Sequence, residues 1–477
     1  MGDEIRSSNF HEEDYQAFTD SLNQEMQILS DWFENKTFSR NTAMCGIEQE
    51  AWIVNKEFYP APENQYLMDA MQNDLLSPEL AKFNIELNVT PQLLSGKGLR
   101  TIHNELLGLW QQCDSELKNK NLRMQMIGIL PTVRDQELVV GNMSLLNRYL
   151  ALNEQVLKSR EGKPLCLDIV GVEHLRSVHS DVMLESAATS FQIHRQVPFD
   201  RSVRYYNSSI ILSAPLVAIG ANSPFLFFKN LWDETRIPLF EQAVEVGGYG
   251  HASSGPIKRV SFGTGYARNS LFECFAENVE HFPVLLPEKF NKPAEELKHL
   301  RMHNGTIWRW NRPLIGFDPD GTPHLRVEQR VASAGPTIVD EMANTVFFYG
   351  LQEYYSNCEE APEHTLDFSK AKANFYLAAQ HGLDAKISWV GRENITVSNL
   401  ISEVLVEKAR LGLEMLGVAA DDIDDYLGVI VARARTKQNG ASWQIKYVKK
   451  YDCTMRDLAE EYWNNQVSET PVHEWKI

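Results

Sequence analysis

Hydrophobic positions near the start of the chain recur at helical spacing. From His11 to Glu34 the apolar residues Tyr15, Phe18, Leu22, Met26, Leu29 and Trp32 follow one another at intervals of three and four, with Phe33 adjoining. That spacing predicts an amphipathic helix behind a polar terminus. The period then changes. Short alternating segments occur around 46–54, 83–89, 122–129, 188–197 and 324–331, separated by helical stretches near 100–119, 142–158, 229–245 and 337–357. From Thr396 onward helical patterning dominates, over 398–416, 420–435 and 454–464. No repeat, low-complexity block or long linker breaks this order. The expected fold is α+β, a curved antiparallel sheet with helices on its other face. Its expected organisation is a polar tail and helix over 1–40, one catalytic domain over 41–465 with a helical part from 396, and a tail over 466–477.

Writing out the two faces of each alternating segment separates the chemistry from the core, because side chains on a strand point to opposite sides with period two. In 46–54, Glu48, Glu50 and Trp52 oppose Ile47, Ala51 and Ile53. In 83–89, Asn84, Glu86 and Asn88 oppose Phe83, Ile85, Leu87 and Val89. In 190–197, Ser190, Gln192, His194 and Gln196 oppose Phe191, Ile193 and Val197, with Arg195 the exception. In 324–331, His324, Arg326, Glu328 and Arg330 oppose Leu325, Val327 and Val331. Any one of these is an ordinary strand with one face in water. Together, however, the polar faces carry no lysine and are built from Glu, His, Arg, Asn and Gln. Carboxylates brought that close repel unless cations neutralise them. Oxygen ligands with one imidazole suit Mg²⁺ or Mn²⁺ better than zinc. The faces therefore predict a metal-and-anion site whose reaction they leave open.

Charge and composition narrow the partners. The net charge of −18 argues against nucleic-acid binding, which needs a basic face, but permits a nucleotide held through divalent metals. The 477 residues are 43% hydrophobic, as in a soluble protein. The six cysteines lie far apart with no C-x-x-C pair, which argues against a zinc ribbon or a redox dithiol. No run is long enough to span a bilayer; the longest, Ile210 to Ala221, is interrupted by Pro215. The Met-Gly start has Arg6 where a myristoylation signal needs Ser or Thr. These features predict a cytoplasmic protein that engages neither membrane nor nucleic acid. Two glycine-rich stretches, 247–256 and 263–266, fit neither a P-loop nor a dinucleotide fingerprint. They read as ordinary turns, or as a flap over a site.

The motifs resemble a known family. Gly46-Ile47-Glu48-Gln49-Glu50 is similar to the G-x-E-x-E strand of the glutamate–cysteine ligase and carboxylate–amine ligase family, a branch of the glutamine-synthetase-like ligases. Glu86-Leu87-Asn88-Val89-Thr90-Pro91 resembles its next glutamate strand. Gly128-Ile129-Leu130-Pro131 with Arg148-Tyr149 resembles its G-x-x-P and R-Y elements, and Phe191-Gln192-Ile193-His194 its histidine strand. Ala221-Asn222-Ser223-Pro224-Phe225 with Arg236, Trp310-Asn311-Arg312-Pro313, Val327-Glu328-Gln329-Arg330 and Gly440-Ala441-Ser442-Trp443-Gln444 follow in the family's order.

The resemblance implies that Glu48, Glu50, Glu86, His194 and Glu328 hold Mg²⁺ (or Mn²⁺) bridging the phosphates of ATP. It further implies that Arg330 contacts the carboxylate substrate or the transferring phosphoryl group, with Arg236 and Arg312 as further anion binders. The implied reaction joins a small-molecule carboxylate to an amine through an acyl phosphate, as in γ-glutamyl transfer to cysteine. Three departures bear on the substrate: Gln192 stands where relatives often have a second histidine, Asn311 where they have aspartate, and Asn88 where they often have a smaller residue. The helix before Arg40 lies outside the resemblance and is left to packing or homo-oligomerisation. His251, His303 and His324 are expected on the surface or behind the ligands, and Trp52, Trp308 and Trp310 in packing. The run Asp421, Asp422, Asp424 and Asp425 reads as a solvated helix start. A metal-dependent hydrolase or phosphotransferase on the same sheet, and a non-catalytic ligand-binding relative, are the alternatives.

Overall fold

The structure, a computed structural model, describes residues 4–41, 43–246 and 258–477. The glycine-rich stretch 247–256, including His251, lies outside the described residues. Eight strands form the main sheet: β1 (Met44–Val54), β2 (Leu76–Pro78), β3 (Asn84–Asn88), β4 (Gln92–Leu93), β5 (Arg123–Gln125), β6 (Phe191–Val197), β7 (Asn311–Phe317) and β8 (Pro323–Gln329). Their order is β7–β8–β6–β1–β3–β2, with β4 and β5 pairing to opposite ends of β1. Every pairing is antiparallel. The sheet is curled into a half-barrel, as expected for the α+β class.

Among the helices packed around it are α1 (Glu12–Asn35), α2 (Ser202–Gly220), α3 (Lys298–Gly305), α4 (Ile338–Asn357) and α5 (Ala420–Thr436). The apolar faces read from the sequence pack inward: Ile47, Ala51, Ile53, Ile85, Leu87, Ile193 and Val327 share one core with the buried faces of α2 and α4. Alternation places the polar residues on the opposite, concave side. Trp52 stacks on Phe83 and Trp310 is fully buried, so both pack, while half-buried Trp308 reaches a cavity lined by the polar residues.

Several elements differ from the pattern. The run around Pro215, which the pattern assigns to no element, is the buried helix α2. A proline inside a helix removes a hydrogen bond and costs about 3 kcal/mol, which burial of almost the whole of α2 offsets. The segment 122–129 contracts to the three residues of β5, and β7 was not expected, since Pro313 reads against a central strand. It is tolerated because β7 is the sheet's edge. The helix expected over 398–416 is interrupted by a π-turn at Ile401–Leu405. The segment 466–477, expected as a tail, is packed: Val472 and Trp475 are buried, and Gln438 Nε2 donates to the carbonyls of both. The acidic run is only partly solvated. Asp422 is fully buried and accepts from Arg100 Nε at 2.8 Å. Among the described residues no helix is long and apolar enough to cross a membrane.

Two buried carboxylates fasten the helices. Glu25 of α1 accepts from the backbone N–H of His299 (3.2 Å) and Leu300 (2.8 Å) and lies 2.6 Å from His299 Nδ1. It thereby caps the N-terminus of α3 from another helix. Asp340 of α4 pairs with Arg433 of α5 at 2.6 Å and also accepts from Thr337 Oγ1 and the Val472 amide. Arg433 in turn donates to Asn344 Oδ1 and the carbonyl of Ile219 at the end of α2. Removing one partner leaves a buried charge uncompensated, so Arg433→Ala should cost about 3–5 kcal/mol. A lower midpoint with an unchanged slope in urea unfolding checks this; an unchanged midpoint contradicts it.

Candidate functional site

Strand register assembles the site. Glu50 lies opposite Glu86 and Glu48 opposite Asn88 across β1 and β3. Glu48 lies opposite Gln192 across β1 and β6. Glu328 of β8 lies opposite His194 of β6 on one side and Arg312 of β7 on the other. Four separate alternating segments thus deliver Glu48, Glu50, Glu86, His194 and Glu328 to one concave surface, and the edge strand β7 adds Arg312. It lines a cavity of about 270 Å³ whose opposite wall includes Phe240, Phe275, Leu286 and Trp308.

The carboxylates fall into two sets. Glu50, Glu79 and Glu86 each offer an oxygen within 4.8 Å of the others. The second set is Glu48, His194 and Glu328: His194 Nε2 lies 3.2 Å from Glu48 Oε1, and Glu328 is next to His194 by register. Glu79 is absent from the residues that alternation singles out. It directly follows the three-residue strand β2, too short to show a period, yet it continues the face of Ser77, which lies opposite Glu86.

The electrostatics divide the same way. Burial raises the Glu48 carboxyl, but His194 outweighs it and holds it down at about 2. Against the same burial, Arg312 and Arg330 hold Glu328 well below the usual carboxylate range. Arg312 makes a two-pronged pair with Glu328 (Nε 3.1 Å, Nη2 2.9 Å), and Arg330 Nη1 donates to Glu328 at 2.9 Å. In the other set burial prevails over such relief. Burial, then Glu48, pushes Glu86 up to about 7. Burial with Glu86, Glu50 and Glu185 drives Glu79 well above its ordinary value. Burial also raises Glu50, with Arg330 opposing.

This donor set fits hard divalent cations. Glu86 Oε2, Glu79 Oε1 and His194 Nδ1 are buried without a hydrogen-bond partner, as suits atoms able to ligate an ion. Gln192, the departure from the two-histidine pattern, is committed elsewhere. Its Nε2 donates to Glu50 (3.1 Å) and its Oε1 accepts from Arg330, while Ser190 fixes Glu50 through its amide (2.6 Å) and hydroxyl (2.7 Å). Gln192 therefore ties the two sets together.

Other expected residues stand apart from the cavity. Arg236 is fully buried behind this wall. Its Nε pairs with Glu234 and its Nη2 donates to the carbonyls of Arg330, Val331 and Ala332. It positions the chain that carries Arg330 rather than offering itself to an anion. Asn311 points to α2, donating to Ser213 Oγ at 2.8 Å. Asn222 and Gln444, from two of the motifs, bond to each other at 2.9 Å and serve packing. His303 and His324 bond to the Asn278 carbonyl and to Asp318. Conversely, Arg326 and Arg301 line the cavity without an acidic partner among the described residues, and Arg326 Nε is buried and unsatisfied. Arg326 belongs to the polar face of 324–331, but its missing partner is visible only in three dimensions.

A family model described as glutamate–cysteine ligase family 2 matches residues 44–467. No curated protein matches significantly. Among solved structures the chain is similar to a glutamate–cysteine ligase from Francisella tularensis in complex with AMP. That likeness has a TM-score of 0.53 at 12% identity and covers 92% of this chain and 96% of that one. It is also similar to a bifunctional glutathione synthetase from Pasteurella multocida, with a TM-score of 0.54 at 11% identity, covering 95% of this chain but only 54% of that one. At these identities the likeness is one of fold.

Glu79→Gln and Glu86→Gln should each weaken Mn²⁺ binding by about tenfold or more. Because a ligand carboxylate must be ionised and Glu86 stands at about 7, affinity of the unaltered protein should fall as pH drops through that value. Calorimetric Mn²⁺ titration checks both; affinity indifferent to either substitution or to pH contradicts them.

Proposed function

The chain belongs to glutamate–cysteine ligase family 2, and from that premise we propose that it joins a carboxylic acid to an amine at the expense of ATP. The observation that carries this reading is that two carboxylate sets able to hold metal stand at one cavity with Arg326 and Arg301, which form no ion pair among the described residues. Glu48, His194 and Glu328 would hold one Mg²⁺, and Glu50, Glu79 and Glu86 another. When bound, the metal neutralises the phosphate charge that otherwise keeps a carboxylate nucleophile away from ATP.

The chain's own residues support the rest. Arg326 and Arg301, which form no ion pair among the described residues, are suited to the polyphosphate. Arg330 and Arg312 are held rigidly by Glu328 and would meet charge developing on the transferring phosphoryl group. In the first step a carboxylate oxygen of the acid attacks the γ-phosphorus and the bond to the β,γ-bridging oxygen breaks, releasing ADP. In the second, the amine nitrogen attacks the acyl carbon and phosphate leaves with the bonding pair. The apolar wall opposite the sheet would keep water from the acyl phosphate. The family supports glutamate, through its side-chain carboxylate, as the acid and cysteine or another amine as the acceptor.

The test is ADP release by intact protein with Mg²⁺ and ATP, using glutamate and other acids each paired with cysteine and other amines. Turnover should require both an acid and an amine, and Arg326→Ala should raise KM for ATP about tenfold or more. ADP release indifferent to the amine, or absent with every pair, contradicts the reading.

A further inference from the structure

Glu185 has no role in either metal set, yet it faces the same cavity. It sits on a 3-10 turn, Val182–Ala187, and among the described residues its carboxylate makes no hydrogen bond or ion pair. It also stands outside the group of Glu50, Glu79 and Glu86. The charged groups around it are Glu50 and Glu79 on the sheet side and Arg330 beyond β8. The helix Asn147–Ser159, packed on the same turn, brings Arg148 and Tyr149 to this part of the cavity. The helix Arg236–Ala243 packs on it too, its Arg236 already spent on Glu234 and backbone carbonyls. An unpartnered carboxylate in such surroundings is a receptor for a cation, and the ligation has one to place. An amine acceptor arrives at neutral pH as an ammonium ion, with no lone pair for attack.

We propose that Glu185 receives the ammonium group of the amine acceptor and takes its proton, which makes it a further catalytic residue of the ligation; the inference rests on the proposed ligase function. One N–H proton passes to the Glu185 carboxylate and the freed nitrogen lone pair attacks the acyl carbon. The carbon–oxygen bond to phosphate breaks, and phosphate departs with the electron pair and the second nitrogen proton. The Glu185 proton then returns to solvent. A carboxylate of ordinary pKa is a poor base for this task. Burial, the largest influence on Glu185, raises its carboxyl above the ordinary value, toward the range such a base needs.

The experiment uses the full chain with Mg²⁺, ATP and glutamate, and compares cysteine with hydroxylamine, whose nitrogen is unprotonated at neutral pH. Wild type should form both the amide and the hydroxamate. Glu185→Gln should lose cysteine-dependent amide formation by about 100-fold or more, with a raised KM for cysteine, while keeping hydroxamate formation and the KM for ATP. Glu185→Asp should recover part of the loss. Glu185→Gln that matches wild type with cysteine, or that loses both nucleophiles equally at an unchanged melting temperature, overturns the inference alone. Wild type that forms neither the amide nor the hydroxamate overturns the ligase reading, and the inference with it; wild type that forms the amide alone overturns the inference only.

Discussion

Everything in this cavity is arranged around the repulsion of carboxylates that one curved sheet forces together. Antiparallel register sets Glu50 against Glu86 and Glu328 beside His194, so separation is not available as a remedy. The chain meets the repulsion unevenly. At Glu328 it supplies Arg312 and Arg330, and at Glu48 it supplies His194, so these two carboxyls are held below their ordinary range. At Glu50, Glu79 and Glu86 it supplies almost none, and burial drives their proton affinity up. The missing positive charge is what a bound metal and an ammonium substrate would bring.

The supporting structure follows from that imbalance. Gln192 and Ser190 fix Glu50 without adding charge, so the uncompensated half stays uncompensated. Arg236 spends its donors on the backbone after β8 and so fixes where Arg330 stands. On the far wall, α1 reaches across to cap α3 through Glu25, holding the helix that carries Arg301. The N-terminal helix therefore has a definite task in this chain, although it precedes the part that matches the family.

Much of the site was legible because strand alternation converts sequence directly into a face. Glu48, Glu50, Glu86, His194 and Glu328 lie on strands of five or more residues, long enough for period two to show. Glu79 and Glu185 were not legible: one follows a three-residue strand and the other sits on a 3-10 turn, where no period exists. Arg236 illustrates the opposite error. A motif arginine suggested an anion, but only the folded chain shows its charge spent on Glu234. Helix α2 was hidden because Pro215 argues locally against a helix that burial stabilises from outside. Residues 247–256 lie outside the described residues, so their expected role as turns or flap stays with the sequence.

The most direct test of the central claim follows an oxygen atom. With Mg²⁺, ATP, cysteine and glutamate labelled with ¹⁸O in its side-chain carboxylate, transfer through an acyl phosphate moves one labelled oxygen into the released phosphate. The account predicts phosphate carrying one ¹⁸O for each amide formed. Turnover that releases unlabelled phosphate would contradict it, because the carboxylate would then never have been phosphorylated.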